Sequence, residues 1–185
     1  MTRKPKSIFS ACTGLPGVVR STSFKCPGGP EKSNSEWCAT FPASNIFSLG
    51  NDTYDNIGAW TPGKANYWLA DKGKSGKDQG FTLYLGCNKT VVGIMLKNTR
   101  DAEDNDGGTK RFRILGSFYE DGPWHELLKE SLEDSRQQEP PPVQQFMIAN
   151  PVVVSFVKFE LLEYWGYIGG LQYFAVNSST GQRLL

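Results

Sequence analysis

Residues that could carry out catalysis are few in this sequence, and their spacing does not form a catalytic group. His125 is the only histidine, which excludes metal sites that need several. Asp52 with Asp55, or Asp104 with Asp106, has the residue types of a glycosidase pair, but such pairs on exposed loops are usually solvated. No glycine-rich phosphate loop follows a predicted strand. The chemistry available to this chain therefore favours a binding protein over an enzyme, and a glycosidase is the least favoured function.

Oxygen-bearing side chains cluster in the segment Asn51-Asp52-Thr53-Tyr54-Asp55-Asn56. Calcium prefers carboxylate and amide oxygens gathered on one loop. The candidate calcium ligands are Asn51, Asp52, Asp55 and Asn56. A second acidic cluster, residues 101–106, lacks the spacing of an EF-hand loop and is interpreted as a solvated acidic tip.

The cysteines bear on the cellular compartment. The chain has four of them, Cys12, Cys26, Cys38 and Cys87. N-glycosylation patterns occur at Asn51, Asn88 and Asn177, and together these features favour an oxidising, extracellular setting slightly. If disulfides form, Cys12 with Cys26 and Cys38 with Cys87 is the preferred pairing of the three that four cysteines allow, because it links the N-terminal arm to itself and the start of the domain to its core. Four free thiols in a cytosolic protein remain the alternative, since the N-terminus is a poor signal peptide.

Length and charge set wider bounds on function. With 185 residues, 38% of them hydrophobic and 12% aromatic, the chain is expected to form one globular domain. The formal net charge is +1 and no basic stripe occurs, so nucleic-acid binding is not expected. No apolar run reaches the roughly 18 residues of a transmembrane segment. We expect an irregular Pro/Gly-rich arm at residues 1–35, the domain at 36–178 and a short tail at 179–185.

Alternation of apolar and polar residues predicts the strands that must position any site. Runs at 81–85, 92–96 and 111–114 alternate with a period of two, which indicates half-buried strands. A short turn at 86–89 joins the first and second strands, and a long polar loop at 98–110 joins the second and third. Long polar loops of this kind are more often binding loops than simple connections.

The rest of the chain continues the strand pattern. Residues 124–132 fit either a short helix or a strand, and strands are predicted at 144–149, 152–162 and 171–176. Lys158 and Glu160 are expected to face solvent. The predicted core is Leu83, Leu85, Val92, Ile94, Leu96, Phe112, Ile114, Val157, Phe159 and Leu161. Short strands with regular turn signals predict an all-β, antiparallel β-sandwich.

The order of motifs resembles a known family. An aromatic-rich loop region ending in Trp precedes FTLYLG, then come a valine-led strand, an Asn/Arg/Asp loop, a strand ending in Ser, a Gly followed by Trp, VKFEL and a closing LQYF strand. Over roughly residues 36–177 this is similar to the discoidin, or coagulation factor V/VIII type C, family of galactose-binding-like domains. The resemblance implies an eight-stranded jelly roll whose loops at one end bind sugars, membrane lipids or protein partners, often with a structural calcium.

The resemblance also implies candidate ligand-binding residues. Asn98-Thr99-Arg100-Asp101 is similar to the Asn-Arg-x-Asp stretch of the lectin branch with one inserted Thr, and Arg111 looks like the counterpart of a second family Arg. Two guanidiniums would suit the vicinal hydroxyls of a sugar. The sugar-binding His of that branch is missing, so Trp60 or Trp68 is expected to offer an apolar face instead.

Two observations bear on the residue roles that the family resemblance implies. Arg100 could equally form a surface salt bridge with Asp101 or Asp104. Gln172 stands where a calcium-binding relative usually has Glu, which removes one charge from the proposed metal site.

Two aromatics near the final turn have different expected roles. Large aromatics beside glycines on a turn either close the end of the core or form a contact surface. We expect Trp165 to close the core, because the inward run at 157–161 leaves the end of the sandwich open. Tyr167 is expected to contact a ligand or partner.

Two binding functions follow from these observations. The first is a lectin-like module for a glycan or glycoprotein, using the loops at one end. The alternative is a protein-interaction, scaffold or adhesion domain that docks a protein partner through the same loops, since Trp, Tyr and Arg dominate interface anchors.

Overall fold

The computed structural model describes residues 36–38, 46–49, 68–70, 75–76, 79–99, 107–134 and 141–180, whose regular elements are all β-strands. The strands are β1 (Glu36–Cys38), β2 (Ile46–Leu49), β3 (Trp68–Leu69), β4 (Gly80–Asn98), β5 (Gly107–Ser117), β6 (His125–Ser131), β7 (Val143–Gly166) and β8 (Gly170–Thr180). Within these residues no helix is long and apolar enough to span a membrane. The expected N-terminal arm lies outside the described residues, and β8 runs past the predicted domain boundary at 178.

Strands β4 and β7 form one long antiparallel ribbon. β4 has 19 residues, about 60 Å if extended, which is too long for a domain with a radius of gyration of about 16 Å. The ribbon bends where the pairing register shifts. Tyr84 lies opposite Phe156, but the next paired residue of β4, Lys89, lies opposite Val154. Gly86 has a φ of 82° there, a conformation that favours glycine. The turn predicted at 86–89 is thus present as an irregularity inside one strand. We call this region, residues 85–88 together with Ser155, the corner.

The two layers of the sandwich meet at the corner. Before it, β4 pairs with β2 and with the second half of β7, and β5 and β6 extend that layer. After it, β4 pairs with β8 and the first half of β7, and β1 and β3 pair with β8. Buried side chains from both layers form a single hydrophobic cluster. The predicted antiparallel β-sandwich is confirmed.

The centre of the core is aromatic. Phe159 is fully buried and its ring stacks on Phe81 with a centroid distance of 5.2 Å. Phe112 stacks from the other side at 5.8 Å, while Trp68 and Phe174 meet the ring edge-on at 5.5 Å and 6.2 Å. Stacked and edge-to-face arrangements of this kind are the favourable ones. One side chain of β7 therefore joins β3, β4, β5 and β8.

The predicted core is confirmed with one exception. A register shift between Val91 and Gly93 makes Val91 the fully buried residue, while Val92 is only half-buried. Residues 124–132, whose pattern fits either a helix or a strand, contain strand β6. The two strands expected between 144 and 162 form one continuous strand, β7. The residues buried as predicted are Leu83, Leu85, Ile94, Leu96, Phe112, Ile114, Val157, Phe159 and Leu161.

The expected exposure of Glu160 is wrong. Alternation with Phe159 and Leu161 places its side chain on the outer face of the layer, yet Glu160 is only 3% exposed. Arg113 of the neighbouring strand is its charge partner and donates from Nε to Oε2 at 2.7 Å and from Nη2 to the same oxygen at 2.6 Å. The alternation predicts the face of the strand correctly, but the burial of the carboxylate depends on the tertiary structure.

The expected disulfide between Cys38 and Cys87 disagrees with the sheet register. Cys38 lies opposite Val176 of β8, which lies opposite Ile94 of β4. Two strand spacings, about 9.6 Å, already exceed the Cα separation of roughly 7 Å that a disulfide allows, and Cys87 lies seven residues further along β4. The register therefore gives that pairing no support, and the side chains of Cys38 and Cys87 lie outside the described part of the structure. Cys12 and Cys26 lie outside the described residues.

Candidate functional site

Four strand ends meet at the end of the sandwich opposite the corner. They are the end of β4 (Asn98 with Thr99), the start of β5 (Gly107–Arg111), the end of β7 (Glu163–Gly166) and the start of β8, reached through residues 167–170. We call these residues the loop end. The polar loop predicted as a binding loop begins and ends here, although residues 100–106 themselves lie outside the described part of the chain.

The base of that loop is fixed by the side chain of Asn98, which is 1% exposed. Its Nδ2 donates to the carbonyl of Thr109 at 2.9 Å and to that of Glu133 at 3.1 Å. Its Oδ1 accepts from the amide of Thr109 at 2.7 Å. A buried amide with these partners contributes to stability and holds the two ends of the loop together. The sequence marked Asn98 only as the first residue of a motif, and this bracing role was missed.

Backbone contacts attach the 167–170 turn to the same base. The hydroxyl of Thr109 donates to the carbonyl of Gly170 at 3.0 Å, and the amide of Gly108 donates to the carbonyl of Ile168 at 2.8 Å. A Cβ on Gly170 would lie 2.6 Å from side-chain atoms of both Leu69 and Thr99. Glycine is thus required for the close approach, and the turn that carries Tyr167 starts from a rigid platform.

Charged side chains line the edge of the loop end. Arg111 donates to Glu163 at 2.5 Å, and Lys110 lies 3.2 Å from the other oxygen of that carboxylate. These hydrogen bonds, first from Arg111 and then from Lys110, hold the pKa of Glu163 below its usual value. Because the folded-state pKa is depressed, the stabilisation from this pair is present at neutral pH and is lost as the pH falls through the lowered pKa.

The ion pair keeps donors and acceptors accessible. The side chains of Arg111 and Glu163 are 44% and 39% exposed, so both guanidinium and carboxylate can reach a bound molecule. Sequence reasoning selected Arg111 but missed Glu163, because the two residues are 52 positions apart and no short motif connects them.

The predicted ligand residues separate into three groups. Arg111 and Tyr167 are at the loop end, and Tyr167 is 64% exposed. Trp68 is 0% exposed because β3 pairs with β8 and its ring packs against Phe81 and Phe159. A ring with no free face cannot stack on a sugar, so its assignment as a ligand residue is wrong. The remaining candidates lie outside the described residues: Trp60, Arg100, Asp101, Asn51, Asp52, Asp55 and Asn56.

Trp165 is half-buried and does not close the core completely. Its ring lies beneath the ammonium group of Lys110, whose Nζ is 4.9 Å from the ring centroid. A cation at this distance is attracted by the face of the indole. Trp165 therefore lies at the charged edge of the loop end, while its neighbour Tyr164 packs against the core cluster.

No protein-family model matches the sequence, and the search of curated proteins gave no match either. Solved structures do match. The F5/8 type C domain of a Bacteroides fragilis protein has a TM-score of 0.61 at 11% identity, and the match covers 78% of this chain and 98% of that one.

Two carbohydrate-binding modules from Clostridium perfringens are also similar. The family 32 module of NanJ, described in complex with galactose, has a TM-score of 0.54 at 13% identity over 78% of this chain and 93% of that one. The fifth family 32 module of a family 89 protein, described in complex with GalNAc-beta-1,3-galactose, has a TM-score of 0.52 at 15% identity over 77% and 94%. The chain thus has the discoidin-like, galactose-binding-like β-sandwich fold that the sequence resemblance implied.

Proposed function

We propose that this chain is a non-catalytic, lectin-like module that binds a glycan or glycoprotein at the loop end. The observation that carries the proposal is the shared fold with modules whose descriptions name bound sugars, namely galactose, GalNAc-beta-1,3-galactose and 4,5-unsaturated mannuronic acid. Some similar modules come from enzymes, such as a family 31 glycoside hydrolase. A binding role beside a separate catalytic domain is therefore a common setting for this fold.

Residues of the loop end support the proposal independently, which matters because one fold serves many functions. The exposed pair Arg111 and Glu163 offers fixed N–H donors next to carboxylate acceptors, which is the arrangement that neighbouring sugar hydroxyls require. Tyr167 adds an exposed ring with a polar tip. We also propose Arg100, Asp101 and Trp60, which lie outside the described residues, as ligand-binding residues of this site.

A glycan array tests the proposal directly. The full chain is applied with calcium and again with a chelator, and we expect saturable binding to one class of glycan. We further propose calcium at Asn51, Asp52, Asp55 and Asn56, and a loss of binding in the chelator would support it. Failure to bind any glycan in either condition contradicts the carbohydrate function.

The two arginines are expected to recognise sugar through their forked donors. Arg100→Lys with Arg111→Lys keeps both charges but loses bidentate hydrogen bonding, so we expect affinity for the selected glycan to fall at least about tenfold. The melting temperature should stay nearly unchanged, because exposed ion pairs contribute little to stability. Isothermal titration of the double variant beside Lys89→Arg, a change at the end of the sandwich opposite the loop end, makes the measurement. Unchanged affinity would remove both arginines from the site.

Tyr167 and Trp165 should behave differently when each is replaced by alanine. Tyr167→Ala is expected to weaken binding without changing the melting temperature, because most of its ring already lies in solvent. Trp165→Ala is expected to lower the free energy of unfolding by about 2 kcal/mol, because half an indole and its contact with Lys110 are lost. Thermal unfolding and titration of both variants check this, and the opposite pattern would mean that the two roles are reversed.

Docking of a protein partner is the second candidate function, and the exposure of both Tyr167 and Arg111 at the loop end favours it. Tyrosine and arginine are the residues that most often anchor protein interfaces. Enzymatic removal of glycans from a bound glycoprotein separates the two functions: a glycan-binding module loses its ligand, whereas an adhesion or scaffold domain keeps it. Extracellular placement is proposed with either function.

A further inference from the structure

The corner carries one of the sequence's N-glycosylation patterns, Asn88-Lys89-Thr90. Asn88 is exposed and lies in the segment where β4 leaves its regular pairing with β7. Side chains of a strand project from the faces of the sheet rather than between its strands. Because the Asn88 side chain is exposed, it can carry a large group without displacing packed neighbours.

A hydrogen bond orients the Asn88 amide. The hydroxyl of Ser155 donates to Oδ1 of Asn88, and Ser155 itself is only 8% exposed. Since the oxygen side of the amide is held against the buried serine, Nδ2 is directed away from it. Nδ2 is the atom to which an N-linked glycan is attached.

The same pattern at Asn177-Ser178-Ser179 has the opposite environment. Asn177 is 7% exposed and lies inside the sheet, opposite Trp37 on one side and Gly93 on the other. Its Oδ1 is buried. A glycan on its amide would have to displace the groups that bury this side chain on its face of the sheet.

We propose that Asn88 is an N-glycan acceptor of the folded protein and that Asn177 is not. In the transfer, the C1–O bond of a lipid pyrophosphate-linked oligosaccharide breaks and a bond forms between C1 and Nδ2 of Asn88. Nδ2 loses one proton, and the lipid pyrophosphate leaves with the bonding electron pair. The hydroxyl of Thr90 supplies the third residue that the acceptor pattern requires.

The position of the acceptor separates the glycan from the loop end. Each strand runs between the two ends of the sandwich: β5 begins at the loop end, and its last residue, Ser117, lies opposite Phe156 beside the corner. Likewise β8 begins opposite Asn98 and reaches Thr180 opposite Lys89. A glycan on Asn88 therefore projects from the end opposite the proposed ligand site.

The test uses the full chain behind a secretion signal in cultured animal cells. Both secreted protein and protein retained in the secretory pathway are collected and treated with peptide N-glycosidase in ¹⁸O-labelled water. This treatment converts a glycosylated Asn to labelled Asp. We expect label at Asn88 in most copies of soluble, folded protein and none at Asn177. The third pattern, at Asn51, lies outside the described residues and is resolved by its own peptide.

Variants separate acceptor loss from misfolding. Asn88→Gln and Thr90→Val should each remove one glycan-dependent shift in electrophoretic mobility, and Thr90→Val leaves the contact with Ser155 intact. Thr90→Ser keeps the hydroxyl and should keep the shift, while Asn177→Gln should not change it. Unlabelled Asn88, or label at Asn177 in folded protein, would overturn the proposal.

Discussion

Replacing Phe159 with alanine is expected to lower the free energy of unfolding by about 3 to 5 kcal/mol. The ring is fully buried, and it contacts aromatic residues from four other strands, so no single neighbour can move to fill the space. The cost combines the lost transfer free energy of the ring with that of the cavity left behind. Urea unfolding followed by circular dichroism measures the change.

A matched control for that experiment is Phe118→Ala. Phe118 has the same side chain but is 51% exposed, and substitutions at such surface positions usually change stability by about 0.5 kcal/mol or less. If Phe159→Ala also cost less than about 1 kcal/mol, the assignment of Phe159 to the centre of the core would be refuted.

Replacing Arg113 with alanine is expected to destabilise the fold by about 3 kcal/mol. Glu160 is 3% exposed and accepts from two nitrogens of Arg113. Removing the arginine leaves a buried carboxylate with its charge uncompensated, and breaking one side of a buried pair costs far more than the pair contributes relative to apolar residues. Thermal and urea unfolding at neutral pH report the loss.

Two controls distinguish burial from charge alone. Arg111→Ala breaks a similar cross-strand pair with Glu163, but that carboxylate is 39% exposed, and we expect a much smaller loss of stability, because exposed ion pairs contribute little. In the second control, Glu160→Gln is combined with Arg113→Ala and should recover part of the loss, because the buried charge is then absent. Equal effects of Arg113→Ala and Arg111→Ala would show that burial of Glu160 does not control stability.

The ligand site proposed at the loop end draws on two sets of residues. The sandwich and the strand ends are set by the fold, and Arg111, Glu163 and Tyr167 are placed on it directly. The metal ligands and the second arginine were selected by residue type and family resemblance. The glycan array with and without calcium, followed by the arginine variants, therefore tests the fold-based and motif-based parts separately.

The sequence by itself determined the strands and most of the core. Period-two alternation places Phe159 and Leu161 on one face and Glu160 on the other, since successive side chains of a strand point to opposite faces. The motif order also predicted the discoidin-like sandwich and located the end at which strands converge. The strands and the core follow from local periodicity, which a single chain displays without its neighbours, whereas the discoidin-like form of the sandwich is implied by the family resemblance.

Only the tertiary structure decided what each side chain meets. Trp68 has the residue type of a sugar-stacking ring, yet pairing of β3 with β8 encloses it in the core. Glu160 has the pattern of an exposed residue, yet it is buried and paired with Arg113 of another strand. Register shifts near Val92 and at the corner also depend on the partner strand. Burial and pairing are relations between distant segments, so residue type and spacing along one segment cannot determine them.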